Sequence, residues 1–499
     1  MHELLPYIPQ QLTQILGDIS YFMPEIYLAI FFMLVLLTDL IFGKNSAKLC
    51  RAVACMGIAI VIFKDLQQVA MVLHEGRLLF SNMLLLNHTS LVFKFIIDVL
   101  AFALFIYFPW DERLKAHPKG LSDLYTITIG SVFGLHLMVM AVNLLSVYVA
   151  IEVVSISSYL MVAYRSENGF STEAGLKYVL FGGASSAMLL YGISLFYGFM
   201  GSANIFDTGA LHNLSAINPL ALTFALLLMF IGIGFKLSMV PMHFWVPDVY
   251  QGAPTPVTAY LSTLPKIAAF GLLVNFLTPF IFLADFSVLN LKLYLSIIGI
   301  ITLIAGNFAA VMQTNVKRML AYSSIGHTGF ALMAIVTFTG QGISALAFYL
   351  AVYGIANIAA LALASYFANV ADAEDIEGYR GLGLSYPTAS ICFIIILISL
   401  TGLPVSVGFA GKLFVFSSVY SVYQQNHDVW LLLFMITGAL TTVVSLFYYI
   451  KIPLYLFLKK RENPVTVISN SNTIIIFAII VCLIVLLLGI FPDKLLQFL

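Results

Sequence analysis

Apolar windows long enough to cross a lipid bilayer follow one another along nearly the whole 499-residue chain, and no other property restricts its fold so tightly. A transmembrane helix takes about 20 mainly apolar residues, and counting such windows gives about fourteen spans. They fall at 22–42, 50–70, 89–109, 121–141, 143–164, 173–199, 218–246, 256–281, 290–311, 318–338, 342–369, 386–418, 429–457 and 472–491. Backbone polar groups in lipid must be satisfied within the segment, so windows of this length are expected to be helices. The expected fold is an all-α polytopic membrane protein. Residues 71–88, too short and polar to span, are expected to form an ordered surface loop, and Asn143 to sit in a tight turn.

Composition agrees and excludes several functions. The chain is 61% hydrophobic and 9% charged, with a mean hydropathy of +1.01, far from the soluble range. Its 23 basic and 23 acidic residues balance, leaving no basic face for nucleic acid. Cys50, Cys55, Cys392 and Cys482 lack metal-ligand spacing and read as small buried hydrophobes. No glycine-rich phosphate loop is present, so neither a nucleotide nor a redox cofactor is expected in this chain. Pro24 and Glu25 open a first window long enough to span, which argues against a cleavable signal.

Loop charge sets the expected orientation. The odd-numbered connections carry Lys44, Lys48, Arg51, Arg113, Lys115, Lys119, Arg165, Lys177, Lys317, Arg318, Arg380, Lys459, Lys460 and Arg461, fourteen of the 23 basic residues. The even connections and the termini carry Lys64, Arg77, Lys292 and Lys494. By the positive-inside rule the odd connections face the cytoplasm and both termini face out.

The segment from Leu227 to Phe270 is the most unusual. Two neighbouring spans each hold a mid-span lysine, Lys236 and Lys266, amid Pro241, Pro247, Pro254, Pro256 and Pro265. A charge at the bilayer centre costs at least about 2.5–3.5 kcal/mol. Prolines free backbone groups that can hold water in a polar pathway. The twelfth window, with Gly402, Pro404 and Lys412, has the same character. The sixth and eleventh windows are both rich in small residues. Partners five helices apart imply two inverted repeats, with helices 7 and 12 broken. The expected division is an N-terminal three-helix segment at 1–120, a first repeat at 121–281, a second at 290–457 and a last helix within 458–499.

The ionisable groups at membrane depth are Lys94, Asp98, Glu152, Lys236, Lys266, Lys412 and Lys451. Lys94 and Asp98, four apart, are expected to neutralise each other, and Lys451 to snorkel. Glu152 has no basic partner on its own helix. Lys236 is its candidate partner, the alternative being an ion pair that only fixes packing. Burial makes a lysine a weaker base and a nearby carboxylate restores it, so a lysine whose partner moves can take up and release a proton. Arginine stays charged throughout. His327 adds a group that titrates near neutrality. His243 has the same capacity, and His136 reads as structural. Tyr260, Ser262, Thr263, Ser323, Ser324 and Thr401 are candidates for positioning water. The acidic run Asp372, Glu374, Asp375 and Glu377 reads as a solvated loop, or else as a contact for a partner.

The stretches PMHFWVPDVYQGAPTPVTAYLSTLPK, QTNVKRMLAYSSIGHTGF and GLPVSVGFAGK resemble the antiporter-like membrane subunits of proton-pumping NADH–quinone oxidoreductase, respiratory complex I, in their subunit N branch. The resemblance implies a proton relay through Glu152, Lys236, Lys266, His327 and Lys412, with Glu152 and Lys236 as a charged pair and His327 bridging two half-channels. It implies electron transfer from NADH to quinone in other subunits, where FMN and iron–sulfur clusters reside. The implied partners are the M-type antiporter-like subunit, the small K- and J-type subunits and lipids, in a bacterial inner membrane. A sodium–proton antiporter subunit, a ferredoxin-driven photosynthetic relative and a purely structural scaffold are the other readings.

Overall fold

The computed structural model describes residues 8–43, 46–71, 76–118, 120–282, 290–460 and 472–498. Lys44, Lys119 and Arg461, three of the charges behind the expected orientation, lie outside the described residues.

A short helix α1 (Ile8–Asp18) leads into α2 (Met23–Phe42) and α3 (Ala47–Met71). Strands β1 (Arg77–Leu79) and β2 (Leu84–Leu86) then pair antiparallel, with Leu79 opposite Leu84. The expected surface loop is thus a hairpin, the one departure from an all-helical architecture among the described residues. Alternation explains it: Leu79, Leu84 and Leu86 are buried with Leu91 and Met140 in a small apolar cluster of their own. Residues 72–75 lie outside the described residues.

The chain continues through α4 (His88–Tyr107), the single turn α5 (Glu112–Lys115), α6 (Ser122–Met140), α7 (Leu144–Val162) and α8 (Gly169–Met200). Asparagines start several of these helices by supplying an acceptor to unpaired N–H groups. Asn87 and Asn143 each form a reciprocal capping box with a serine three residues on, and Asn143 holds the tight turn expected of it. After α9 (Thr208–Asn213), the seventh window divides into α10 (Pro219–Leu237) and α11 (Trp245–Gly252). Next come α12 (Thr255–Phe282), α13 (Leu291–Val311), α14 (Val316–Ile335) and α15 (Gly340–Ala371). A short α16 (Leu382–Ser385) precedes the divided twelfth window, α17 (Pro387–Thr401) and α18 (Val407–Asn426). The last helices are α19 (Val429–Tyr449), continued by α20 (Lys451–Pro453), then α21 (Asn472–Ile490) and α22 (Asp493–Leu496).

Each of the windows read from sequence coincides with helix. Among the described residues, 11 helices are long and apolar enough to cross a membrane by length and composition. The windows at 50–70, 318–338 and 386–418 fall outside that number: α3 carries Lys48, Arg51, Lys64 and Asp65, α14 opens on Lys317 and Arg318 and is rich in polar residues, and the last is split. The chain is a multi-pass membrane protein.

Helix α12 is buried along its length, packed by α4, α6 and α15, while α13 packs on α14 and α19. At one end of the bundle the connections are stitched together. Arg113 pairs with both Asp372 and Glu374, Asn315 donates to Asp375, and Ile376 N–H donates to Thr314 O at 2.8 Å. Glu377 binds Arg380 and Tyr455. The acidic run is therefore a strap tied across the ends of α5 and α14, its Asp372, Asp375 and Glu377 still exposed as a solvated loop would be, because basic and amide groups on those elements meet it.

Candidate functional site

Helix α10 ends at the residue after Lys236. Ser238 takes a left-handed conformation (φ 60°), and Pro241 lacks the N–H that a continuing helix needs. Lys236 is fully buried, and its Nζ has no hydrogen-bond partner among the described residues. It lies 6.0 Å from the ring centroids of Tyr159, Tyr178 and Phe235. Trp245, at the start of α11, stacks on Tyr178 and Phe235 and closes this aromatic box. Gly182 of α8 makes the room, since a Cβ there would collide with the Tyr159 hydroxyl.

Glu152 is not in contact with Lys236. Its carboxylate instead accepts from Ser186 of α8, and no ion pair joins it to Lys236 among the described residues. The expected contact pair is therefore a separated one, with the aromatic box around the lysine.

Lys266, one residue after Pro265 on the buried α12, is held by α14. Its Nζ donates to Ser324 Oγ at 2.6 Å and to Ser324 O at 3.1 Å, with Thr328 Oγ1 at 3.4 Å. Thr328 donates to Leu237 O at 2.8 Å, which joins Lys266 to the broken end of α10. Tyr353 of α15 reaches Ser324 Oγ at 2.8 Å and Ser262 O at 3.1 Å. With Tyr353 donating to Ser262 O, the Ser324 hydroxyl donates to Tyr353 and accepts from Lys266, a directional chain of hydroxyls.

His327, also on α14, faces two phenols: Nδ1 to Tyr349 Oη at 2.7 Å and Nε2 to Tyr449 Oη at 3.4 Å. Its ring lies 4.6 Å from that of Tyr353. With no carboxylate against it among the described residues, a neutral imidazole can accept at one nitrogen while donating at the other. Tyr449 in turn meets Ser323.

Lys412 follows the second break. Helix α17 stops at Thr401 because Gly402 turns left-handed (φ 83°). The N–H groups of Gly402 and Leu403 bond back to Ile398 O and Ser399 O, which leaves Thr401 O to a side chain, and a cation at a helix C-terminus is favoured. Lys412 Nζ donates to Thr401 O at 2.7 Å and lies 4.5 Å from the centroid of Phe330. Tyr349 packs against Gly411, beside Lys412, while bonding His327.

Lys236, Lys266, His327 and Lys412 are all buried, and a line of contacts through Thr328, Ser324, Tyr353 and Tyr349 runs from the end of α10 beside Lys236, past Lys266 and His327, to Gly411 beside Lys412. Of the expected water-positioning groups, Ser262, Ser323 and Ser324 lie on it. Thr401 contributes its carbonyl, Tyr260 bonds Ser131 of α6 instead, and Thr263 bonds back to its own helix. His243 lies in the first break with its Nδ1 unpartnered among the described residues. Thr328, Tyr349, Tyr353 and Tyr449 were not singled out from sequence, where hydroxyls in apolar helices are too common to discriminate. One further expectation is corrected, that of Lys94 and Asp98. Lys451, for its part, donates to Val311 O at the end of α13. Lys94 pairs with Glu25 and Asp65, and Asp98 with His136, because α2, α3 and α6 present closer partners than the same helix does.

Residues 141–443 match the family described as NADH:quinone oxidoreductase/Mrp antiporter, TM, a range that contains all five residues of the expected relay. The chain is 36% identical to NADH-quinone oxidoreductase subunit N 2 of Chloroherpeton thalassium over 470 residues, covering 92% of this chain and 90% of that protein. The chain belongs to the NADH-quinone oxidoreductase subunit N family. A solved chain of respiratory complex I from Thermus thermophilus superposes on this subunit N family member with a TM-score of 0.76 and 27% identity, over 95% of this chain and 98% of that one. A chain of the Mrp complex from Dietzia sp. has the same fold, with a TM-score of 0.79 at 17% identity and 95% coverage of both.

Proposed function

We propose that this chain is a proton-translocating membrane-arm subunit of a respiratory NADH–quinone oxidoreductase, and that Glu152, Lys236, Lys266, His327 and Lys412 form its relay. The observation that carries the reading is the bonded connection from the broken end of α10, through Thr328, to Lys266 and Ser324. Lysines suit the task because burial weakens them as bases while a carboxylate strengthens them. Movement of Glu152 relative to Lys236 across their present gap would raise and lower proton affinity at the first lysine. Protons would then pass from Lys236 to Lys266, His327 and Lys412. The two helix breaks, each just beside or before a buried lysine, support reading the chain as two inverted halves.

In this reading protons enter from the cytoplasm and leave on the outer face of a bacterial inner membrane, with both termini outside. NADH, FMN, iron–sulfur clusters and quinone belong to partner subunits. Neighbours in the arm are the M-type antiporter-like subunit and the small K- and J-type subunits, with lipids at the joints. The deciding experiment is Lys236→Ala in the intact complex, reconstituted into liposomes. Proton pumping and the coupled quinone reduction are expected to fall while assembly persists. Unchanged pumping would remove Lys236 from the mechanism, and a requirement for sodium would favour an antiporter instead.

A further inference from the structure

Away from the lysine line, α2, α3, α4 and α6 bury five ionisable side chains together. Lys94 Nζ lies 2.6 Å from Glu25 Oε1 and 3.0 Å from Asp65 Oδ1. His136 places Nδ1 3.0 Å from Glu25 Oε1 and Nε2 2.9 Å from Asp98 Oδ1. All five are fully buried. The remaining oxygens, Glu25 Oε2, Asp65 Oδ2 and Asp98 Oδ2, are buried without a hydrogen-bond partner among the described residues.

The bonding fixes the proton count. An imidazole with carboxylates at both nitrogens either carries two protons or faces a carboxyl that carries one. Counting Lys94 and His136 as cations leaves three carboxylates against two positive charges. A net charge so deeply buried is not left uncompensated; a group protonates instead. His136 has both nitrogens committed, and the Lys94 ammonium already occupies the space between Glu25 and Asp65. Helix α12, packed on α4 and α6, brings the amide of Asn275 to Val139 O there, not a charge.

We propose that Glu25, Asp65, Lys94, Asp98 and His136 form a second proton-binding site, holding one exchangeable proton on the three carboxylates. It has its own contact with the end of the bundle. Gln68 accepts from Lys94 at 3.2 Å and donates to Tyr21 O at 2.8 Å. The β1–β2 hairpin closes over that point, with Phe80 edge-on to Phe22 and its N–H bonded to Asp18. The cluster therefore stores a proton beneath a hairpin cap, with Gln68 anchoring the Lys94 ammonium to the backbone at that end of the bundle.

Infrared difference spectra of the intact complex in liposomes, stepped through pH in buffer free of sodium and divalent ions, test this without reference to the lysine line. Asp65→Asn, Glu25→Gln and Asp98→Asn are compared singly with the wild type. A titrating carboxylic-acid band is expected to disappear or shift in at least one of them, with one fewer proton taken up per chain. Wild-type bands and proton uptake in all three assembled variants overturn the proposal. So does failure of all three to assemble, because an amide mimics the protonated state that the site must visit while folded. Loss of the band on adding sodium or calcium alone at fixed pH also overturns it, by showing a metal cation as the occupant.

Discussion

The hydroxyl of Thr328 lies 3.4 Å from the ammonium of Lys266 and donates at 2.8 Å to the carbonyl of Leu237, the last residue of α10. One side chain thus touches both the central lysine and the first helix break.

Replacing that hydroxyl by a methyl, Thr328→Val, keeps the volume and leaves Leu237 O without its donor. An unsatisfied buried acceptor costs about 1–3 kcal/mol. The expected result is an assembled complex with a lower melting temperature and several-fold slower proton pumping, while Thr328→Ser retains both. Equal pumping in Thr328→Val and the wild type would show that the contact is structural only.

His327 separates two phenols by distance. Tyr349 bonds it at 2.7 Å and packs beside Lys412, whereas Tyr449 is 3.4 Å away and bonds Ser323. Tyr349→Phe is expected to slow pumping more than Tyr449→Phe. The comparison is made on complexes matched for NADH oxidation with an artificial acceptor. The opposite order would place the onward route on the α19 side of the histidine.

Much of this was legible in the sequence, for reasons that particular residues make plain. Lys236, Lys266 and Lys412 stand out because a lone charge in an apolar run is costly. Asn143 stands out because two spans meet there with no loop. What escaped has one cause: partners that lie far apart in the chain. Lys94 has Asp98 on its own helix, yet Glu25 and Asp65 from other helices take it. Glu152 has an obvious partner in Lys236, yet Ser186 holds it. Spacing along one helix shows which groups share a face, not which neighbour packs against that face.

Arg113 joins the α5 turn to Asp372 and Glu374 at the surface. Exposed ion pairs contribute about 0–1 kcal/mol each and weaken in salt. Arg113→Ala is therefore expected to lower the melting temperature slightly at low ionic strength and negligibly at high salt, with pumping unchanged. A large loss of pumping would make the strap part of the coupling machinery.

Gly402 ends α17 with φ 83°, and a Cβ placed there would lie 2.7 Å from Lys412 Cδ. Gly402→Ala acts through two effects that a second variant separates. The left-handed conformation costs an alanine roughly 1–2 kcal/mol, and the methyl displaces the lysine stem from Thr401 O. Asparagine adopts that conformation more readily but carries the same Cβ. If position of the lysine is what matters, Gly402→Asn recovers most of the stability lost in Gly402→Ala, yet both pump as poorly as Lys412→Ala. If pumping instead recovers together with stability, the backbone turn alone is required, and the 2.7 Å bond between Lys412 and Thr401 O is not.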